Sequence, residues 1–247
     1  MTFSPMPPAP VEPINASPFA PLPVFDPRDV PVLSTDAALP AVPFERLGAN
    51  ALRQRFAAPP AWQPELRHEP RFADRQPAAA AVLVPIVQRA EPTVLLTERT
   101  STMSTHSGQV AFPGGRVDPE DASLAAAALR EAWEEVGLPA RFIEVLGSLP
   151  TYTTGTSFIV TPVVALVRPG FELALNPHEV ATAFEVPLAF LMNPAHHRRH
   201  RLEWAAADGR REQREWFSMP YQDGEHERYV WGATAGMLRN LYRFLAA

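Results

Sequence analysis

Three glutamates, Glu131, Glu134 and Glu135, fall within five residues of the stretch "REAWEEVGL", Arg130 to Leu138. No Gly or Pro interrupts Asp121 to Val136, and the segment is rich in Ala, Leu and Glu, all strong helix formers. Asp121 or Ser123 can cap its start, and Gly137 followed by Leu138-Pro139 supplies a stop. The spacing therefore predicts a helix over Ala122 to Val136. At about 100° per residue, Ala125, Leu129, Ala132, Trp133 and Val136 share one face, expected to be the core face. The three carboxylates fall nearly opposite, below Ala127 and Ala128. Glu131–Glu135 is an i,i+4 pair and Glu131–Glu134 an i,i+3 pair, so all three can converge on one point. Such like-charge pairs cost roughly 0.2–0.5 kcal/mol each, and the last turn of a helix disfavours anions further. Two readings remain open on the helix alone: a solvated acidic face, or a site for a hard divalent cation that takes a few carboxylates and keeps waters for substrate phosphates.

The elements that must position this helix can be read from the rest of the chain. Its 247 residues are 46% hydrophobic, enough for one ordinary domain with an appendage. The formal net charge of −5 argues against a general nucleic-acid binder. The absence of cysteine excludes disulfides, thiolate nucleophiles and Cys-ligated zinc. The longest apolar stretch, "PAAAAVLVPIV", is too short to span a bilayer, and no secretory signal stands at the N-terminus, so the expectation is a soluble, cytoplasmic protein without membrane contact. More than half of the 29 prolines precede residue 71. Residues 1 to about 40 read as extended, disordered or wrapped on a neighbour, with Phe19, Leu22, Val24 and Phe25 leaving docking open; "FERLGANALRQRFA" has the spacing of a short helix. The expected division is a proline-rich extension, 1–70, and a folded domain, 71–247.

Within that domain "AAAVLVPIVQ" and "TVLLTERT" read as a strand pair, and "GQVAF" as a short strand before the helix. "FIEVLGSLP", "SFIVTPVVALVR" and "EVATAFEVPL" read as further strands, and "LAFLMNP" as a short helix. "HRRHRLEWAA" and "EWFSMPY" could form a hairpin. "YVWGATAGMLRNLYRFLAA" closes the chain as an amphipathic helix with Trp231, Met237, Leu238, Leu241 and Phe244 as core candidates. Strands in runs with helices interposed imply an α/β fold, an α/β/α sandwich around a mixed sheet.

The segment ahead of the acidic helix makes the pattern specific. Pro-Gly-Gly, ending in Gly115, permits tight turns and close ligand approach. The order Gly115, a polar loop, Arg130-Glu131, Glu134-Glu135-x-Gly137 resembles the Nudix box of the Nudix hydrolases. The interval from Gly115 to Arg130 is one residue longer than the usual pattern, its first glutamate is replaced by Asp121 or lost, and Ala132 occupies an aliphatic position. Upstream, "LLTERTSTMSTHSGQVAFPGG" resembles the extension found in the coenzyme A pyrophosphatase branch of that family. Leu95, Leu96, Thr97, Arg99, Gly108, Phe112, Pro113, Gly114 and Gly115 match in register, whereas Thr100 and Ser104 depart from it. "VWGATAGML" and "HEVATAFEVPL" are also similar to this branch.

The resemblance implies a Nudix-type α/β/α sandwich that hydrolyses the diphosphate linkage of coenzyme A or acyl-coenzyme A with Mg²⁺ or Mn²⁺. It implies Glu131 and Glu135 as metal ligands, Glu134 as a third ligand or the general base, and Arg130 as the residue orienting a glutamate. Glu179, in "PHEV", could supply the base or another ligand, or be an exposed loop acid. Arg99 could meet a substrate phosphate or be a strand-end surface arginine, and Gly114 and Gly115 would border the substrate. His106 could bond a phosphate; "HHRRHR" reads as a solvated turn; Trp204, Trp216 and Trp231 read as packing residues rather than an adenine stack. Relatives of this branch suggest a homodimer. Two alternatives share the box: a diphosphatase for NADH, ADP-ribose or another nucleoside diphosphate derivative, and an inactive domain serving as a nucleotide sensor with the proline-rich arm as its docking segment.

Overall fold

The computed structural model describes residues 22–71, 75–100, 108–206 and 209–247. Ser104 and His106 lie outside the described residues. Strand β1 (Val32–Thr35) and helix α1 (Ala49–Ala57) precede the long strand β2 (Ala78–Val87), then β3 (Thr93–Arg99), β4 (Val110–Ala111) and β5 (Gly114–Arg116). Helix α2 (Leu124–Val136) follows, then β6 (Ile143–Ser148), β7 (Tyr152–Thr153), β8 (Phe158–Val167), β9 (Val180–Pro187) and the short α3 (Leu188–Leu191). Strands β10 (Arg198–Ala205), β11 (Arg211–Asp223) and β12 (His226–Trp231) lead into α4 (Gly232–Ala246). Among the described residues no helix is long and apolar enough to cross a membrane.

The central sheet is mixed. Strands β2 and β8 run parallel over ten registered pairs, Ala78↔Phe158 to Val87↔Val167, and β3, β4, β5, β6, β7 and β9 join antiparallel around them. Period-two alternation sorts β2 and β8 between two cores. Ala81, Leu83 and Val87 with Val163, Ala165 and Val167 face α2, against Ala127, Ala128, Ala132 and Val136. Ala80, Val84 and Ile86 with Val160, Val164 and Leu166 face the opposite layer, where Leu238, Leu241, Tyr242, Phe244 and Leu245 of α4 pack. The expected α/β/α sandwich is therefore present. A second sheet, in the order β1-β10-β11-β12, adds Phe217, Met219 and Val230 to the α4 core.

The structure corrects the sequence reading at several points. Helix α2 is rolled: Trp133 is 59% exposed, whereas Ala127 and Ala128 are fully buried. Small side chains let the helix axis come close to the sheet, and the bulky indole cannot occupy that contact. The carboxylate side, expected to face away from the core, thus turns toward the protein. Ser123, not Asp121, caps α2, its Oγ accepting from the Ala126 N–H at 3.0 Å. Trp231 ends strand β12, and α4 begins only at Gly232, whose φ of +60° makes the corner. His197 and His200 of "HHRRHR" are buried, not solvated: their rings bond the carbonyls of Leu191 at 2.8 Å and Val30 at 2.9 Å. In the proline-rich part, β1 pairs with β10, and Val42, Leu47 and Leu52 join the α4 core.

Candidate active site

Glycines let the acidic helix close on the sheet. A Cβ on Gly115 would lie 2.5 Å from Glu131 Oε1, so Glu131 rests directly on that backbone. A Cβ on Gly114 would lie 2.5 Å from the Ala81 carbonyl oxygen, so this residue lets β5 lie flat on β2. The Gly114 N–H donates to Glu135 Oε2 at 3.1 Å. Each glycine thus seats one of the two inward carboxylates.

Glu135 is 3% exposed. Burial pushes its carboxyl up to about 7, reinforced by Glu131 and Glu179 and opposed by the Gly114 N–H and by Arg99. Arg99 Nη1 stands 3.6 Å from Glu135 Oε1. The Glu131 carboxyl is also raised, first by burial and further by Glu134 and Glu179, against the pull of Arg130. The loop before β9 brings in Glu179: the Ala174 and Asn176 N–H groups donate to the carbonyls of Val136 and Glu135, and Asn176 Nδ2 reaches Glu179 Oε1 at 3.3 Å. Gly137, with φ +66°, makes room for that loop, since a Cβ there would meet Ala174 at 2.9 Å. A carboxylate some forty residues downstream is thereby carried to the end of the acidic helix.

Arg130 takes up much of the remaining negative charge. It donates to Asp121 through Nε at 3.1 Å and Nη2 at 3.0 Å, and through Nη1 to Glu131 at 3.0 Å and Glu134 at 2.9 Å. Asp118 lies 3.4 Å from Nη2. The bidentate partner holds the Asp121 carboxyl below its ordinary range, and these anions raise the guanidinium. Asp121, which could have been a cap or stood in for the first box glutamate, is the Arg130 partner. The Glu134 side chain is 51% exposed and shares Arg130 Nη1 with Glu131.

These residues open on one cleft of about 1210 Å³. Glu131, Glu134, Glu135, Glu179, Arg99, Gly114, Gly115 and Arg130 all line it. Sequence reasoning missed others that do: Asp118, Arg116, the buried Glu69–Arg214 pair, and the segment Leu22–Arg28. Asp118 had a signal in its place between Gly115 and the helix, and the N-terminal segment one in its apolar Leu22, Val24 and Phe25; Glu69 and Arg214 had none. Trp231 also lines the cleft, whereas Trp216 packs at 5.5 Å against Phe25 and stacks on His200.

Among the described residues no three acidic or histidine side chains form a ready cage for a metal ion. A hard cation that keeps several waters needs only one or two carboxylates. The all-oxygen donor set of Glu131 and Glu135, with Glu179 close enough to raise both of their pKa values, fits such an ion. A cation would relieve the repulsion that those raised values express.

Residues 77–231 match the NUDIX domain family model. A relative from Citrobacter koseri, named an uncharacterized Nudix hydrolase NudL, is 46% identical over 163 residues, 66% of this chain and 80% of its own length. A relative of the same name from Salmonella newport is 42% identical over 197 residues, 79% of this chain and 94% of its own. The crystal structure of a C. elegans Ap4A hydrolase binary complex covers 48% of this chain and 85% of that chain at 22% identity, with a TM-score of 0.39, a likeness too distant to speak to mechanism. On the match of the domain and the identity to these relatives, the chain belongs to the Nudix hydrolase family.

Proposed function

We propose that this chain is a divalent-metal-dependent diphosphatase that cleaves the diphosphate linkage of coenzyme A or its acyl derivatives, giving 3′,5′-ADP and 4′-phosphopantetheine or its acyl form. The observation that carries this reading is the pair of raised carboxylates, buried Glu135 and half-buried Glu131, seated on Gly114 and Gly115 beside Glu179 in a large cleft. Glu131 and Glu135 are the residues to hold Mg²⁺ or Mn²⁺. When bound, such an ion supplies charge neutralisation of the diphosphate and a lowered pKa for its water.

The chain's own groups do the rest. The Gly114 N–H and Arg99 fix the Glu135 carboxylate, and Arg130 fixes Glu131. Glu179, held by Asn176, is the group placed to take a proton from the attacking water; Glu134, tied to Arg130, is the less direct candidate. Arg99 and Arg116 border the cleft, where guanidinium groups suit phosphate oxygens. Phosphoryl transfer needs mainly positioning and charge stabilisation, and these residues provide both. The coenzyme A assignment is supported by the Leu95–Gly115 pattern and by a cleft at the large end for small-molecule sites.

The test is a product assay by mass spectrometry with Mg²⁺ or Mn²⁺ and, separately, coenzyme A, NADH and ADP-ribose. Faster release of 3′,5′-ADP from coenzyme A than cleavage of the other two is the expected result. Preferred cleavage of NADH or ADP-ribose overturns the substrate and leaves the reaction class. No cleavage of any, with no binding of metal by calorimetry, favours an inactive nucleotide-sensing domain.

A further inference from the structure

The N-terminal segment Leu22–Arg28 lies outside the region that matches the Nudix family, yet it forms part of the wall of the cleft that holds the acidic cluster. Its position is built. Phe25 packs against Trp216 at 5.5 Å and Trp231 at 6.3 Å between ring centroids. Beneath those indoles the Arg214 guanidinium sits 5.7 and 5.6 Å from the two rings and pairs with the buried Glu69 at 3.3 Å. The Tyr229 hydroxyl donates to the Pro27 carbonyl at 3.1 Å, and Arg28 lies over the Tyr229 ring at 5.0 Å. Beyond it, Val30 is buried and its carbonyl bonds the His200 ring. Pro23, Pro27 and Pro31 restrict the chain between these anchors, so little entropy is lost in holding it there.

Against this anchoring stands one unsatisfied feature. Val24 is fully exposed although Phe25 beside it packs, and it borders the cleft with Phe158, Val160 and Met237. Aliphatic groups offered to the cleft from a pinned segment suit a flexible chain better than a flat base. We infer that Leu22–Phe25 is a substrate-binding wall that receives the extended, largely uncharged half of the substrate, an amide-and-alkyl chain of the pantetheine type. This rests on the diphosphatase reading and names what contacts the leaving half.

Two measurements on the full chain test it. Hydrogen exchange read by mass spectrometry, with Mg²⁺ and the product pair 4′-phosphopantetheine and 3′,5′-ADP, needs no turnover: peptides covering 22–28 and 131–135 should both be protected. Protection of 131–135 alone overturns the wall and keeps the diphosphatase reading; protection of neither overturns both. In kinetics, Val24→Asp, at an exposed position that cannot unfold the chain, and Phe25→Ala should each raise KM for coenzyme A about tenfold with kcat within about twofold, as loss of one apolar contact implies. An unchanged KM for both variants, or a fall in kcat at constant KM, overturns the wall.

Discussion

Above neutral pH, Glu135 is ionised at a position only 3% exposed, and replacing it by glutamine removes that charge. An ordinary glutamate titrates near 4.5, whereas Glu135 is pushed up to about 7. Between those values the folded chain holds a proton that the unfolded chain has released. Stability therefore falls as pH rises through this window, and the loss is complete above about 7. At 1.36 kcal/mol per pH unit the ionised carboxylate costs about 3 kcal/mol of stability. At pH 5 Glu135 is neutral in the folded protein and resembles the glutamine. The pull of Arg99 and of the Gly114 N–H on the ionised carboxylate is already contained in that pKa, whereas contacts that do not depend on its charge contribute at both pH values and cancel when the two comparisons are subtracted. In chelator-treated protein Glu135→Gln should thus gain about 3 kcal/mol on wild type between pH 5 and pH 8, measured by urea unfolding at both. On the proposed function turnover should be abolished, because the same substitution would remove a metal ligand. A variant with no such relative gain, or with full activity, would refute the reasoning.

The same carboxylates link metal to protons. If Glu135 holds the ion as proposed, Mg²⁺ or Mn²⁺ displaces its proton below pH 7, so calorimetry at pH 6 in buffers of different ionisation enthalpy should report release approaching one proton per ion bound, and release should fade by pH 8. Gly115→Ala meets only the flexible end of Glu131, so unfolding should change by less than about 1 kcal/mol while activity drops about a hundredfold. Gly114→Ala meets the backbone of Ala81 and Val82 and should lose about 3 kcal/mol in the same unfolding assay. Arg130→Lys keeps a charge but loses the bidentate hold on Asp121; kcat should fall about tenfold or more, with the Mg²⁺ concentration for half-maximal rate rising.

The periodic elements were legible because burial enforces their period. Strands β2 and β8 are buried on both faces and read as continuous apolar runs, and α2 reads from its Ala, Leu and Glu with a glycine stop. Which side of α2 faces in was not legible, because an apolar wheel gives Trp133 weight that packing does not. The helix is instead drawn in by Ala127, Ala128 and Ala132, and its glutamates follow them toward the cleft. The His200 ring looks like surface charge in "HHRRHR" because a strand exchanges alternate residues between faces, and only pairing with β1 and β11 decides which; His197 stands just before β10 and is buried against the Leu191 carbonyl. For residues 22–28 the apolar Leu22, Val24 and Phe25 signal docking but not where: that depends on Trp216, Trp231 and Tyr229, some two hundred residues away.

The crowding of acids on α2 then divides into two parts with different physics. Asp121 and Glu134 pair with the single guanidinium of Arg130, which also reaches Glu131 and so meets three carboxylates within 3.1 Å. Glu135 has no such partner: its nearest cation, Arg99, stands at 3.6 Å, and Glu131 and Glu179 repel it. A helix whose acids served only as a solvated face would have no reason to bury the one that Arg130 does not reach. The charge left over lies at Glu135, Glu131 and Glu179, beside two glycines that bring backbone to within contact of the carboxylates. On the proposed function, the repulsion in that corner, which Arg99 offsets in part, is relieved by a proton at acid pH, as the raised pKa of Glu135 expresses, and by a bound cation above neutrality.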